Sequence, residues 1–252
     1  LNMLLKRSNY KIKFQTPIVL FNTIFDFKAE HYHFHPNYTS FGSSSISTDT
    51  EGTKGDIKTK ILNNILDLSV GYDGNVKGLW VEDKTQSITN SASIGFSLKN
   101  LPPLSYSLRN AQRLSTSKDT LTAGRDTTAH NINNTHTFSS SYKFSIKETN
   151  INLNGNATMV YSTDVITDTV NTNFMNSSYT GGMSISSKTP LSINIGTGLS
   201  QNIPDDINIP PTKIKAYSLK IGYDFWWGLM CNFICLESSE HPHKLNKFKV
   251  LF

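Results

Sequence analysis

Hydrophobic and polar residues alternate along most of this chain with a period of two, the spacing that sends successive side chains to opposite faces of a β-sheet. From Ser87 to Leu98, Ile88, Asn90, Ala92, Ile94, Phe96 and Leu98 fall on one face, with Ser87, Thr89, Ser91, Ser93, Gly95 and Ser97 on the other. Leu66, Leu68, Val70 and Tyr72 alternate in the same way with Asp67, Ser69 and Gly71. Toward the C-terminal end, Leu191, Ile193, Ile195 and Leu199 oppose Ser192, Asn194, Gly196 and Gly198. The pattern predicts eight strands, near 61–72, 86–98, 104–115, 134–146, 150–162, 172–185, 191–201 and 213–225. Each has about 11 to 14 residues, against about five or six for a typical globular strand and about 9–11 for a tilted strand that crosses a bilayer.

The connections carry separate information. Their lengths run about 13, 5, 18, 3, 9, 5 and 11 residues, long and short in turn. The short ones hold turn chemistry, as in Lys147-Glu148-Thr149, while the long ones are polar and charged. That sorting is the layout of an up-and-down membrane barrel, with tight turns at one rim and longer loops at the other. A Greek-key sandwich has no reason to sort its loops by parity.

Composition agrees. Ser 30, Thr 26 and Asn 25 make up about a third of the 252 residues. These are weak helix formers that compete for backbone hydrogen bonds, so a helical bundle is excluded. Aromatic residues at 11% argue against disorder. The polar face is built from small uncharged residues, whereas solvent-exposed faces of soluble sheets carry Lys and Glu. At this point the sequence resembles the bacterial outer-membrane β-barrel proteins, particularly the Ser/Thr/Asn-rich kind. The resemblance is architectural, spans about 61–225, and carries over no functional residue.

The expected fold is therefore all-β: an antiparallel up-and-down (meander) transmembrane β-barrel of 8–12 strands, or part of a larger barrel. Lipid would cover the apolar stripes, because no segment shows the 3.6-residue stripe of a covering helix. Ile94, Phe96, Tyr106, Phe144, Leu153, Ile193, Leu219, Ile221 and Tyr223 are expected to face lipid. Asp67, Arg109, Lys143, Asn154, Lys220 and Asp224 are expected to face the lumen. Residues 1–56 hold N-terminal strands, at Tyr10–Phe14, Pro17–Phe27 and about Phe41–Ser47, with 39–56 as a polar loop. Residues 57–227 form the barrel. From 228 to 252 the alternation is lost, which predicts an irregular tail, although Phe248, Val250 and Phe252 alternate up to a terminal aromatic.

Charge and chemistry change this picture little. The net charge of +5 is scattered rather than gathered into a stripe, so nucleic acid is not an expected partner. Membrane lipid and other outer-membrane components are. Cys231 and Cys235 make neither a zinc site nor a disulfide framework. No G-x-S-x-G, Walker-type or dinucleotide motif occurs, and the chain is expected not to be an enzyme and to need no cofactor. His31, His33 and His35 would line one face of a strand and are the one candidate metal constellation, with Glu30 or His130 as a further ligand. The expected function is a structural, pore-forming, transport or assembly role in the bacterial outer membrane. The alternative is a secreted or cell-surface β-sandwich or fibre module that acts as an adhesin or binds carbohydrate.

Overall fold

The computed structural model describes residues 9–21, 23–36, 49–79, 83–118, 125–165, 173–187, 191–206, 208–223, 233–240 and 249–250. Regular structure among them is entirely β. Eleven long strands come first: β1 (Tyr10–Leu20), β2 (Thr23–Phe34), β3 (Thr50–Ile61), β4 (Leu66–Lys77), β5 (Lys84–Phe96), β6 (Leu104–Lys118), β7 (Arg125–Ile146), β8 (Thr149–Asp164), β9 (Phe174–Ser187), β10 (Leu191–Pro204) and β11 (Thr212–Tyr223). Two shorter strands follow, β12 (Phe233–Glu240) and β13 (Lys249–Val250). Every strand neighbours its predecessor and successor in the sheet, so the topology is a meander without crossovers. In that order β1 and β13 are the two ends, and the sheet is not closed.

Two units divide the chain: Leu1–Ile94 with Leu108–Asn134 and Ser162–Asn171, and Gly95–Ser107 with Thr135–Tyr161 and Thr172–Phe252. In the first, register runs unbroken across β1 to β4. Phe14, Ala29, Gly55 and Tyr72 form one cross-strand row, and Ile18, Phe25, Thr59 and Leu68 another. In the second, Met183, Ile195 and Leu219 are aligned, as are Ile185, Ile193 and Ile221. Cross-strand partners share a face, so each unit has one apolar and one polar side.

The strand at β3 departs from the sequence reading, which placed 39–56 in a loop and began a strand at 61. Thr50–Ile61 is instead a full strand, and the next strand runs Leu66–Lys77 rather than 61–72. The reason is visible in its residues. TEGTKGDIKTKI carries little apolar stripe of its own, and it is held by backbone pairing to β2 on one side and β4 on the other. The suggested strand at Phe41–Ser47 lies outside the described residues. In the tail expected to be irregular, Phe233–Glu240 pairs with β11.

The parity of the connections is also softer than the sequence implied. β6 and β7 run on to Lys118 and from Arg125, well into the stretch expected to be a loop. The extension is polar on both faces and is stitched by side chains: Thr128 Oγ1 donates to the Ser115 carbonyl at 3.1 Å and Ser117 Oγ to Asp83 Oδ1 at 2.6 Å. Alternation marks where an apolar face is needed; pairing needs only backbone groups, so a strand can outlast its stripe.

Tight turns join the strands at the other end. Leu62, Asn63 and Asn64 all have positive φ (53°, 55° and 66°), and the Ile65 N–H closes the turn on the Leu62 carbonyl at 3.1 Å. Between β7 and β8, Lys147 sits at φ 54°, where a Cβ costs about 1–2 kcal/mol. Lys147→Gly should therefore stabilise the fold by about 1 kcal/mol, and Lys147→Val should destabilise it by at least as much; urea unfolding of the two variants beside the parent chain measures both.

Candidate functional site

Among the described residues there is no buried hydrophobic core. The aligned apolar side chains are exposed instead: Val70 is 61% accessible, Phe138 51%, Ile195 45% and Leu219 44%. Any functional chemistry must therefore be sought on the two faces of the sheet, and the polar one holds nearly all of it.

In the first unit the polar face is charged. β1 contributes Lys11 and Lys13; β2 Asp26, Lys28 and Glu30; β3 Lys54, Asp56, Lys58 and Lys60; β4 Asp67 and Asp73. Lys11 Nζ lies 2.8 Å from Glu30 Oε1 and Lys13 Nζ 3.6 Å from Oε2. Lys54 Nζ reaches Asp73 Oδ2 at 2.9 Å, and Lys60 Nζ is 3.6 Å from Asp67 Oδ1. These pairs are partly exposed, and each contributes about 0–1 kcal/mol; their value is orientation more than stability. Two aromatic rings interrupt the ladder. Tyr32 and Phe34 stack with centroids 5.6 Å apart, and the Tyr32 ring covers its register partner Gly52, where a Cβ would collide with it.

In the second unit the polar face is uncharged over most of its length. The Ser218 side chain lies over its register partner Gly196, and the Ser192 side chain over Gly222. Asn154 lies against Gly182 in the same manner. A serine or asparagine thus fills the space that a glycine leaves across the ladder. Several buried side-chain oxygens on the polar faces accept no hydrogen bond from protein: Asp56, Asp67, Asp73 and Asn75 in one unit, Asn152, Asn176 and Asn202 in the other. All are acceptors, so donors such as water are what these faces need.

The residues singled out from sequence distribute as follows. Asp67 is half-buried in the ion pair with Lys60. Arg109, Lys143, Asn154 and Lys220 are exposed. Ile94, Phe96, Leu153, Leu219 and Ile221 are exposed, and Ile193 is half-buried in the row it shares with Ile185 and Ile221. Tyr106 packs on Phe138 at 4.6 Å, and its hydroxyl meets His136 Nδ1 at 2.8 Å; His136 in turn stands edge-on to Tyr161. Phe144 leans on Tyr142. Tyr223 ends β11, and Asp224 lies outside the described residues.

His35 is separated from the other two histidines. His31 and His33 share the face of Phe25 and Phe27, not the charged face. His31 Nδ1 is 2.9 Å from Thr53 Oγ1, and its Nε2 is 3.3 Å from the Tyr10 hydroxyl. His33 is buried, stacked on Tyr10, with Nδ1 3.5 Å from Glu51 Oε2. His35 lies past the end of β2, and its backbone N–H donates to Asn9 Oδ1 at 2.6 Å. Among the described residues no three His, Cys, Asp or Glu side chains are grouped to hold a metal ion. No protein-family model matches the chain, and no curated protein matches it.

The charged ladder escaped the sequence reading because 39–56 was assigned to a loop. Its signal was present: Lys54, Asp56, Lys58 and Lys60 alternate with Thr53, Ile57, Thr59 and Ile61, and Asn63-Asn64 follows as turn chemistry. The fit of Tyr32 on Gly52 is testable. Gly52→Ala should destabilise the chain by about 1–3 kcal/mol, and the loss should shrink in a Tyr32→Ala background; a double-mutant cycle in urea gives both values.

Proposed function

We propose that this chain is a membrane-embedded β-barrel of the bacterial outer-membrane kind, with its apolar stripes against lipid and its polar face turned to a hydrated interior. Its role on this reading is non-enzymatic: a pore, or a structural or transport component of that membrane. The observation that carries the reading is the absence of a buried hydrophobic core among the described residues of a chain most of whose strands have an apolar side. Burying one large apolar side chain contributes about 1.5–3 kcal/mol. Leaving even ten of them in water forfeits at least about 15 kcal/mol, the whole net stability of an ordinary domain. A covering phase is required, and acyl chains supply one.

Dimensions support the same reading. The twelve residues of β11 rise about 40 Å at about 3.3 Å each. Tilted by about 45°, that spans about 28 Å, close to the hydrocarbon thickness. The β6–β7 extension, polar on both sides, fits a hairpin that continues past the apolar band into water. Closing the meander would remove its free edges, which in a membrane would leave backbone groups without partners.

The test uses the full chain refolded into detergent micelles and run in denaturing gels with and without boiling. A barrel gives faster migration unboiled, and Leu219→Lys should weaken insertion into phospholipid vesicles by about 2–4 kcal/mol relative to the parent. Free solubility in buffer, with mobility indifferent to heat, would overturn the proposal.

A further inference from the structure

We propose that the polar face of β2–β4 holds a binding site for a small zwitterion of the amino acid or dipeptide class. At the end of this face nearest the Leu62–Asn64 turn lies a cavity of about 1010 Å³, roomy for a ligand of that size. Asp26, Lys58, Lys60, Asp67, Ser69 and Ser93 line it, with Ile24, Ile61, Leu62 and Leu68 as its apolar part.

One register pair of charges in this cavity is arranged unlike the others on the ladder. Lys54 and Asp73, register partners, close to 2.9 Å, and Lys60 and Asp67, also partners, to 3.6 Å. Asp26 and Lys58 stand in the same register relation, yet neither belongs to any ion pair among the described residues. A carboxylate and an ammonium thus line one cavity side by side without neutralising each other. Asp67, the second carboxylate of the cavity, has its Oδ1 3.6 Å from Lys60 Nζ and is already served.

Hydroxyl chemistry completes the site. Ser69 and Ser93 share one hydrogen bond at 2.7 Å; two hydroxyls carry two protons, so one O–H remains to donate. A ligand ammonium fits Asp26, and its carboxylate fits the neighbouring Lys58 with the free hydroxyl of the Ser69–Ser93 pair, Ser69 being the register partner of Lys58. Lys60 and Asp67 serve each other, so a lone anion or cation would leave Asp26 or Lys58 unserved. A molecule with both ends serves both.

This site does not rest on insertion into a membrane, and its test is separate. The full chain in detergent micelles is titrated calorimetrically with alanyl-alanine, with its N-acetylated form and with its amide. The zwitterion should bind about tenfold tighter than either blocked form. Lys58→Gln should abolish the advantage over the amide, and Asp26→Asn the advantage over the acetylated form; both positions are exposed, and the far-UV circular dichroism of each variant, compared with the parent, reports its folding. Equal binding of all three probes, no binding of any, or a preference that survives both substitutions would overturn the proposal.

Discussion

A sheet with one oily side must put that side somewhere, and the rest of this molecule answers to that requirement. Soluble β-proteins meet it with a second sheet or a layer of helices. Here the described residues offer neither, and the apolar rows of both units stand exposed. The polar side answers the same constraint in reverse. It carries ion pairs, hydroxyl pairs and buried acceptors without protein donors, which is costly in a dry interior and ordinary where water has access. One side that needs oil and one that needs water is the division a membrane barrel resolves, and it is why the proposed function follows from the faces rather than from any motif.

Much of the fold was legible in the sequence, because the signal that specifies a half-buried strand is local. The run from Ser87 to Leu98 declares its two faces residue by residue, and Lys84–Phe96 is a strand. Legibility failed where strands are specified by their neighbours. Thr50–Ile61 has lysines and an aspartate on one face and mainly Thr, Gly and Ile on the other, so its alternation is of charged against small or β-branched residues and makes only a weak apolar stripe. Its place comes from backbone ladders to β2 and β4, which are set by register and by the Leu62–Asn64 turn. The start of β7 was missed for a related reason. Arg125–Asn134 has no apolar side, yet it pairs and is stitched by hydroxyls.

The candidate chemistry was less legible than the fold. Three alternating histidines look like a ligand set in one dimension, but spacing says nothing about what stands across the ladder. In three dimensions Tyr10, Thr53 and Glu51 occupy His31 and His33, while His35 leaves the strand altogether. Conversely, the charged ladder became visible only once β3 was placed between β2 and β4. Cross-strand registration turns scattered Lys and Asp residues into rows, and a single sequence does not print registration.

The two polar walls solve the same problem by different means. On β10 and β11 a serine covers the backbone of a glycine across the ladder, as at Ser218 over Gly196 and Ser192 over Gly222. Glycine in a strand ordinarily costs about 0.5–1 kcal/mol through lost side-chain contact and added chain entropy. A neighbouring side chain laid over it restores part of that contact and keeps the wall flat, with Lys220 the one charge on this face of the two strands. On β2–β4 most of the polar-face side chains are long and charged; there the Tyr32 ring covers Gly52, while Ser91 lies over Gly71 as the serines of the other wall lie over their glycines. A flat, nearly neutral wall gives a solute little to hold, whereas a wall of oriented charges can discriminate between solutes. On the proposed reading, the oriented charges of the first unit are the ones that would discriminate between solutes.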